Sequence, residues 1–400
     1  MERRILHADF NGFYASVACL LDPTIRERPV AVAGDPAARH GIILAKNEIA
    51  KRYGVRTGEA IWQAKQKCPG LVTVAPDFPE YHRFSELGRE IYAEYSDRVE
   101  GFGLDENWID ITACTKDFQD AERMAHEIRT RIRTELGITV SIGAADNKVF
   151  AKLGSDMKKP DAVTVVSPAN YKETAWKLPV GDLLYVGRAA RRTLAQYGVE
   201  TIGQLAACKP EMLEQLMGKT GVQLHRYANG LDDAPVRPQH EHEPVKSVGN
   251  STTFPENLTR WEQVRGGLQM LSDSVAGRLR QQGLYCGGVA VGVRDAQFRT
   301  VSRQMRLPSP THLMRDIYNA ALELTQQLWK APTPIRLLSV TALYITESAD
   351  SYQQLDLLAG DAPLRDQRQE QLESAMDAIR GKYGKDAIAF GHREKMGWDD

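Results

Sequence analysis

The sequence predicts a multidomain protein of the α/β (α+β) class. Up to about residue 165, short apolar strands alternate with amphipathic helices. Residues 178–206 have the pattern of short helices separated by glycine turns. Strands and two long helices return after a segment at 231–244 that is rich in Pro, Asp, Glu and His. A length of 400 residues indicates two to four domains.

The composition is that of an ordinary globular protein, with 42% hydrophobic and 26% charged residues. The sequence contains no apolar run long enough for a membrane span and opens without a signal-peptide pattern, so we expect a cytoplasmic protein. The five cysteines are far apart and lack the spacing of a zinc or redox site, which favours reduced packing residues.

Charge is unevenly distributed, although the net charge is only −1. Residues 246–346 carry a net charge of +6, and residues 347–400 carry −5. A basic domain followed by an acidic tail is compatible with binding of a phosphate backbone. The candidate backbone contacts are Lys246, Arg294, Arg299 and Arg303.

The first 165 residues have an order of elements that limits the topology. The predicted strands span 3–10, 28–34, 41–45, 71–74, 104–112 and 138–143, and the predicted helices span 13–21, 46–53, 81–96, 121–136 and 146–160. This order resembles a split βαβ layout with helices on one face of a mixed sheet. In that layout the strands 3–10 and 104–112 can lie side by side.

Two adjacent carboxylates, Asp105 and Glu106, stand at the start of an apolar strand. Neighbouring side chains on a regular strand point to opposite faces, so a turn or bulge is needed for both to reach one cation. For an isolated pair, a solvated acidic turn is the simpler interpretation. A third acid, Asp9, ends the first strand, and three acids at two adjacent strand ends suggest a hard-cation site of the Mg²⁺ type.

Two helical segments offer further charge or backbone contacts. Lys148, Lys152, Asp156 and Lys159 share one helix face, which is either a solvated face or a stripe that faces an anion.

The segment 178–206 resembles a helix-hairpin-helix unit, in which exposed turn amides bind DNA phosphates. The turn glycines here are Gly187 and Gly198, and Tyr185 stands where the first hairpin glycine is usual. A plain helical bundle is the alternative. The second compact unit is predicted from strands 289–294, 299–307 and 337–345 with helices 260–282 and 311–329. A charged helix is predicted at 364–383 within a flexible acidic tail.

Several linked motifs follow one another in a specific order. They are His7-x-Asp9 with Phe13-Tyr14-Ala15-Ser16, residues 47–54, Leu104-Asp105-Glu106, Ser141-x-Gly143 through Asn147-Lys148, Ser155-Asp156 to Lys159-Pro160, the hairpin helices, and Lys246-Ser247-Val248-Gly249 with Thr253-Phe254. Together they resemble the Y-family translesion DNA polymerases, and most closely the bacterial DNA polymerase IV branch. The similarity runs from about residue 3 to 358.

The resemblance implies a domain layout. It consists of a ferredoxin-like palm (1–10 and 70–165), a fingers insertion (11–69), a helix-hairpin-helix thumb (166–235), a linker (236–244), an α/β little finger (245–346) and an acidic tail (347–400) with a clamp-binding peptide at 354–358.

The resemblance also implies an activity: error-prone, template-directed DNA synthesis at a primer 3′-end by two-metal-ion phosphoryl transfer. Asp9, Asp105 and Glu106 would act as the catalytic acids and hold two Mg²⁺ ions, with the Phe10 backbone carbonyl as a further ligand. The sequence offers no second group of acids that would serve as a proofreading exonuclease.

The implied substrates and partners are primer–template DNA, deoxynucleoside triphosphates and a sliding clamp, bound by a monomer. Tyr14 would be the steric gate that rejects a ribose 2′-hydroxyl, while Lys51 and Lys159 would contact the triphosphate. The residues implied in clamp binding are Gln354, Leu355, Leu357 and Leu358.

The chain departs from the family pattern in the fingers. Ala45, Glu48 and Lys51 stand where Thr, Tyr and Arg usually contact the triphosphate, and a carboxylate near phosphates is repulsive. Asn11 replaces a common second aspartate that is not a principal metal ligand.

Two other functions are alternatives. An accessory protein that binds DNA and the clamp without efficient synthesis would tend to lose the metal triad, which this chain retains. A nucleotide cyclase also has a palm with paired acids, but it has no use for the hairpin helices or the basic C-terminal domain.

Overall fold

The computed structural model describes residues 2–37, 39, 41–241, 243–348, 362–384 and 387–389. The chain divides into two compact units, Met1–Asp35 with Gly41–His242, and Pro36–His40 with Glu243–Asp400. The peptide expected to bind a clamp, 354–358, lies outside the described residues. Within the described part of the chain, no helix combines the length and the apolar character that crossing a membrane requires.

The first unit confirms the strands and helices predicted up to residue 165, with their ends displaced by a few residues. Its elements are β1 (Ile5–Phe10), α1 (Phe13–Leu21), β2 (Val30–Ala33), β3 (Ile43–Lys46), α2 (Glu48–Arg52), α3 (Ile61–Lys67), β4 (Val72–Val74), α4 (Phe78–Ala93), β5 (Val99–Gly101), β6 (Glu106–Asp110), α5 (Phe118–Arg131), β7 (Val140–Ala145), α6 (Lys148–Met157), β8 (Val163–Val166), α7 (Tyr171–Thr174), α8 (Arg188–Gln196), α9 (Ile202–Ala207), α10 (Pro210–Met217) and α11 (Lys219–Ala228). The sequence pattern does not predict α3, β5 or β8.

A five-stranded sheet with the order β5-β6-β1-β7-β8 forms the centre of this unit. Strand β1 is buried along its whole length and runs antiparallel to both β6 and β7. The predicted adjacency of the first strand and the acidic strand is therefore confirmed. Their register places Asp9 opposite Glu106, so the two side chains lie on the same face of the sheet.

Helix α6 lies unusually close to β7 because Gly143 has no side chain. A Cβ atom on Gly143 would stand 1.9 Å from the Ala151 carbonyl oxygen and 2.5 Å from the Ser155 nitrogen. Asn147 caps the helix by accepting a hydrogen bond from the Phe150 backbone nitrogen. The close approach brings residues of α6 to the acids of the central strands.

Strands β2, β3 and β4 form a separate three-stranded sheet with the order β3-β2-β4, inside or next to the predicted fingers. A small core of its own, which includes Ile43, Ala50, Val55 and Ala64, holds α2 and α3 against it. This packing explains how a short insertion can fold on one sheet.

Helices α7 to α11 form a helical region, and here one expectation is wrong. The first helix expected in 178–206 is only a single 3₁₀ turn, Val180–Asp182, because Pro179 and Gly181 disfavour an α-helix. The two following helices are present as α8 and α9. Tyr185 has a φ of 70°, the left-handed conformation that the usual glycine would adopt without strain.

The described residues between α11 and β9 form no helix or strand, and this segment is attached to the first unit as far as Gln239. The Gln239 backbone nitrogen donates to the Asp97 carbonyl oxygen at 3.3 Å. Arg237 pairs with the buried Glu100 at 3.0 Å. The first part of the predicted linker therefore packs on the unit that precedes it, while the domain boundaries themselves stay predictions.

The second unit is an antiparallel sheet with the order β11-β10-β12-β9, covered on one face by two helices. Its elements are β9 (Ser247–Leu258), α12 (Trp261–Gln281), β10 (Tyr285–Asp295), β11 (Thr300–Thr311), α13 (Met314–Leu328), β12 (Ile335–Thr346) and α14 (Ala362–Tyr383). Three strands and three helices match predicted ones, whereas β9 is not predicted from its polar, glycine-containing sequence.

The predicted charged helix of the tail is present as α14 and is attached to α12. Arg280 on α12 pairs with Glu373 and, at 2.6 Å, with Asp377. Arg380 on α14 pairs in turn with Asp273 on α12 at 2.8 Å. This part of the acidic tail is therefore a docked helix, in contrast to the flexible tail that its composition suggests.

Candidate active site

The three acids expected to hold metal come from the adjacent ends of β1 and β6. Asp9 is almost fully buried and faces Glu106 across the ladder. Asp105 precedes β6 in a bend at 102–105, and its carbonyl oxygen accepts a 3.1 Å hydrogen bond from the Phe10 backbone nitrogen. The structure thus brings the three acids and the Phe10 backbone to one place, with the bend in the position that the sequence required.

Asp9 is held by a cation from the segment after α6. Lys159 Nζ lies 2.6 Å from Asp9 Oδ2 and 2.8 Å from Asp156 Oδ1. Burial raises the pKa of Asp9 to about 6 in spite of the opposing charge of Lys159. The carboxylate is therefore poorly stabilised as an anion and would gain from a stronger cation.

Glu106 has two partners that both reach its Oε2 oxygen. Lys152 on α6 donates a hydrogen bond to Oε2, and His7 Nε2 lies 3.2 Å from the same atom. Burial opposes ionisation of Glu106, but the contacts with His7 and Lys152 lower its pKa to about 2. Glu106 is consequently ionised at neutral pH.

Asp105 completes the acidic group. Its pKa is raised by burial and then by the charge of Glu106, and Glu106 also contributes to the raised pKa of Asp9. In the described residues, no three His, Cys, Asp or Glu side chains already form a metal-binding arrangement. Lysines instead contact two of the acids. The donor set nonetheless fits a hard divalent cation, because it consists of oxygen atoms whose negative charges repel one another.

Tyr14 lies near these acids within a group of aromatic rings. Its ring stacks on Tyr81 with centroids 4.1 Å apart and an interplanar angle of 9°, and its edge meets Phe78 at 6.0 Å. Burial raises the pKa of Tyr14, and Asp105 adds to this effect, which places the phenol close to that carboxylate. The stacking on Tyr81 holds the ring in one orientation.

The fingers residues contact one another. Lys51 Nζ lies 3.2 Å from Glu48 Oε1 on the exposed side of α2. Lys46 donates to Thr57 Oγ1 at 3.1 Å, and its pKa is lowered by burial and by the charge of Lys51. The Glu48 carboxylate is thus matched by a lysine of its own helix, which lessens its repulsion of a phosphate.

The two turn glycines lie at opposite ends of α8. Gly187 is the N-cap residue of α8, so no side chain caps the helix there. Gly198 follows the helix with a φ of 73°. Both are exposed, and no atom lies within 4 Å of where a Cβ would stand on either. The backbone at both ends of α8 is therefore open to solvent, while the Gly187 and Gly198 backbone nitrogens donate to the Tyr185 and Ala195 carbonyl oxygens, each at 3.1 Å.

The basic residues predicted in the second unit have different surroundings. Arg294 donates to Thr300 Oγ1, Arg299 pairs with Asp295 at 2.9 Å, and Lys246 pairs with Glu243 at 3.3 Å.

Arg303 donates to Gln327 of α13 and so lies on the helix side of the sheet, as do Met305 and Leu307 of the same strand. Arg306 lies on the open side, where its guanidinium stacks on Tyr344 at 3.4 Å from the ring centroid. The alternation of Met305 and Leu307 in the sequence was a signal for this difference that the prediction did not use.

Comparisons with known proteins agree with this structure. A model of the impB/mucB/samB family matches residues 8–156, and a model of the C-terminal domain of that family matches residues 245–357. A protein called DNA polymerase IV from Acetivibrio thermocellus is 46% identical over 98% of this chain and 97% of its own. DNA polymerase IV 1 from Bacillus subtilis is 37% identical over 98% of this chain and 93% of its own.

A solved structure has the same fold. It is a Y-family DNA polymerase chimera, Dbh-Dpo4(243-245)-Dbh, with a TM-score of 0.77 and 22% identity over 86% of this chain and all of its own. The fold and the family matches thus define the class as the Y-family DNA polymerases. Within that class, the chain belongs to the impB/mucB/samB family and groups with the relatives called DNA polymerase IV. The predicted fold class and family resemblance are confirmed.

Proposed function

We propose that the chain is a template-directed DNA polymerase of the error-prone translesion type, which extends a primer 3′-end without proofreading. Membership of the family supports the enzyme class, with DNA and deoxynucleoside triphosphates as substrates and a divalent metal as cofactor. For the site, the observation that carries the proposal is that Asp9 faces Glu106 beside Asp105 at the ends of two central strands.

In this proposal Asp9, Asp105 and Glu106 hold two Mg²⁺ ions together with the Phe10 carbonyl. Bound metal ions stabilise the attacking primer oxygen and the leaving pyrophosphate. The three acids provide an anionic, largely buried site. Lys159, which pairs with Asp9, is free to bind the triphosphate when Asp9 has another cationic partner. Lys51 adds a positive charge from the fingers.

Sugar selection is assigned to Tyr14. Its ring would occupy the space of a ribose 2′-hydroxyl, and the stack on Tyr81 keeps it from turning away. DNA backbone contacts are assigned to the exposed amides near Gly187 and Gly198 and to the basic side chains of the second unit. These side chains are Lys246, Arg294, Arg299 and Arg303, to which the structure adds Arg306.

The remaining parts of the proposal concern partners. The peptide 354–358 resembles a clamp-docking peptide, and we propose that a sliding clamp binds it. We also propose that the polymerase acts as a monomer in the cytoplasm, where its DNA substrate is found.

A primer-extension assay tests the metal site. Asp105→Asn and Glu106→Gln should each lower Mg²⁺-dependent extension on the order of 10³-fold, because several kcal/mol of transition-state stabilisation are removed. Glu122→Gln, which alters an exposed carboxylate of α5, is the matched control and should extend normally. Undamaged and lesion-bearing templates are compared, and unchanged extension by Glu106→Gln would show that the site is wrongly assigned.

Ribonucleotide incorporation tests the sugar gate. Tyr14→Ala should raise the ratio of ribonucleotide to deoxynucleotide incorporation by roughly 10-fold to 100-fold, a range typical of pocket sterics. Tyr14→Phe keeps the ring and should stay selective. Equal selectivity of the Ala and Phe variants would remove Tyr14 from this role.

A further inference from the structure

His7 is a buried polar residue that the proposed reaction does not yet use. It lies on β1, two residues before Asp9, and its side chain has no solvent exposure. Its ring meets Trp108 edge-on, with centroids 5.2 Å apart. A histidine in such surroundings is costly unless both ring nitrogens have partners.

Only one of the two nitrogens is fully bonded. Nδ1 lies 2.8 Å from Ser155 Oγ, whereas Nε2 points to Glu106 Oε2 at 3.2 Å without the alignment of a hydrogen bond. Nε2 is therefore a buried nitrogen without a hydrogen-bond partner, directed at an acid of the site. A buried atom of this kind requires an explanation, and the carboxylate that it faces offers one.

The chemistry of the neighbours determines which nitrogen carries the proton. Lys152 donates to Glu106 Oε2, so this oxygen acts as an acceptor and Nε2 must be the N–H that faces it. A ring protonated on Nε2 alone leaves Nδ1 as an acceptor for the Ser155 hydroxyl, 2.8 Å away. The Ser155 hydroxyl carries a single hydrogen, so in this arrangement it donates to Nδ1 and not to the Lys152 carbonyl oxygen, which lies 2.7 Å away.

The two carboxylate oxygens of Glu106 have different surroundings. Lys152 and His7 both reach Oε2, and no described residue donates a hydrogen bond to Oε1. Oε1 is thus the oxygen available to a ligand, and Oε2 is the one that the protein holds. Outer partners of this kind orient a metal-binding carboxylate and strengthen metal affinity.

We propose that His7 is a positioning residue, whose Nε2–H orients the Glu106 carboxylate for the metal while Ser155 fixes the orientation of the imidazole ring. The inference rests on the proposed role of Glu106 as a metal ligand. Ser155 and the close packing of α6 on β7 thereby contribute to the site, because that packing brings the Ser155 hydroxyl to His7.

Direct Mn²⁺ binding tests this role. The full chain is bound to primer–template DNA and a non-hydrolysable deoxynucleotide, and free Mn²⁺ is measured by electron paramagnetic resonance. His7→Leu should raise the Mn²⁺ dissociation constant about 10-fold to 100-fold. His7→Gln should stay close to the wild type, because its amide nitrogen can replace Nε2–H.

Two further measurements make the outcome decisive. Urea unfolding reports whether each variant is folded, and a purely structural role would lower stability without separating Leu from Gln in Mn²⁺ affinity. If His7→Leu does not fold, Ser155→Ala takes its place and should also weaken Mn²⁺ binding. Mn²⁺ affinity equal to the wild type in the folded variant tested would overturn the inference.

Primer extension by Glu106→Gln keeps this inference distinct from the proposed function. Normal extension by Glu106→Gln would refute the metal site itself. An inactive Glu106→Gln together with unaltered Mn²⁺ binding by His7→Leu would refute only the role of His7.

Discussion

Two groups of opposite charges, one in each unit, use similar residues in different ways. In the first unit, Asp9 and Glu106 are each paired with the single amine of a lysine. In the second unit, the guanidinium of Arg280 binds both Glu373 and Asp377, and Glu373 has no exposure at all. Glu373 also accepts hydrogen bonds from the Met314 backbone nitrogen at 3.0 and 3.2 Å.

The carboxylates of the first unit have partners that can be replaced, whereas those of the second unit have permanent partners. A lysine amine on a flexible chain is a point charge that can move aside, whereas an arginine fork and a backbone amide hold a carboxylate in a fixed geometry. The acids of the first unit can therefore exchange a lysine for another cation. Those of the second unit hold α14 in place.

The largest effect on stability is expected from breaking the permanent group. Glu373→Ala leaves Arg280 buried without its main partner and should lower the free energy of unfolding of the second unit by about 3–5 kcal/mol. Urea unfolding measures this change. The apolar double replacement Arg280→Met with Glu373→Leu should recover most of it. Glu106→Gln should cause no comparable loss, and an equal loss in both units would contradict the distinction.

A smaller effect, in this case a gain in the free energy of unfolding, is expected when Asp9 is replaced. Its pKa is about 6 in the folded chain and 3.8 for an unperturbed aspartate, so the folded state binds more protons between these values and loses stability as the pH rises through them. Asp9→Asn removes this loss. Without metal at pH 8, it should be more stable than the wild type by about 2 kcal/mol.

Urea unfolding of wild type and Asp9→Asn at pH 4 and pH 8, with a chelator, measures the difference. The gain should vanish at pH 4, where Asp9 is largely protonated in the folded state. An equal difference in the free energy of unfolding at pH 4 and pH 8 would mean that burial does not destabilise the ionised Asp9 carboxylate.

The smallest effect is expected at Arg306, a cation that belongs to neither group of opposite charges. Arg306 stacks on Tyr344 and has no carboxylate partner among the described residues, so its charge stays available to DNA. Arg306→Ala should lower the slope of DNA affinity against salt by roughly one unit. Arg303→Ala, from the same strand, should also lower the slope but by less, because Arg303 lies on the helix side and donates to Gln327. The reverse order would contradict the assignment.

Much of the fold could be predicted because its signals are local. The apolar run of β1 and the apolar period of α1 are visible in a few residues, and the acids at the ends of two strands indicated where the site lies. Strand β9 depends on its pairing with β12, and its own polar sequence does not favour a strand. The 3₁₀ turn at Val180–Asp182 had a local signal in Pro179 and Gly181 that the prediction did not use.

The parts of the site that the sequence did not predict come from tertiary contacts. The pairing of Lys152 with Glu106 joins residues 46 positions apart, and the contact of His7 with Ser155 joins residues 148 positions apart. The shared helix face of the lysines was predicted, but a helical period does not identify the acid that each lysine meets. The docking of α14 was missed for the same reason.

The absent side chain of Gly143 has a practical consequence for exchanging parts among relatives. Helix α6 brings Lys152 and Ser155 to the acids only because β7 leaves room for its backbone at Gly143. A chimera that takes residues 148–157 from one polymerase and β7 from another must therefore retain glycine at this position. The smallest exchangeable module is the strand and helix together.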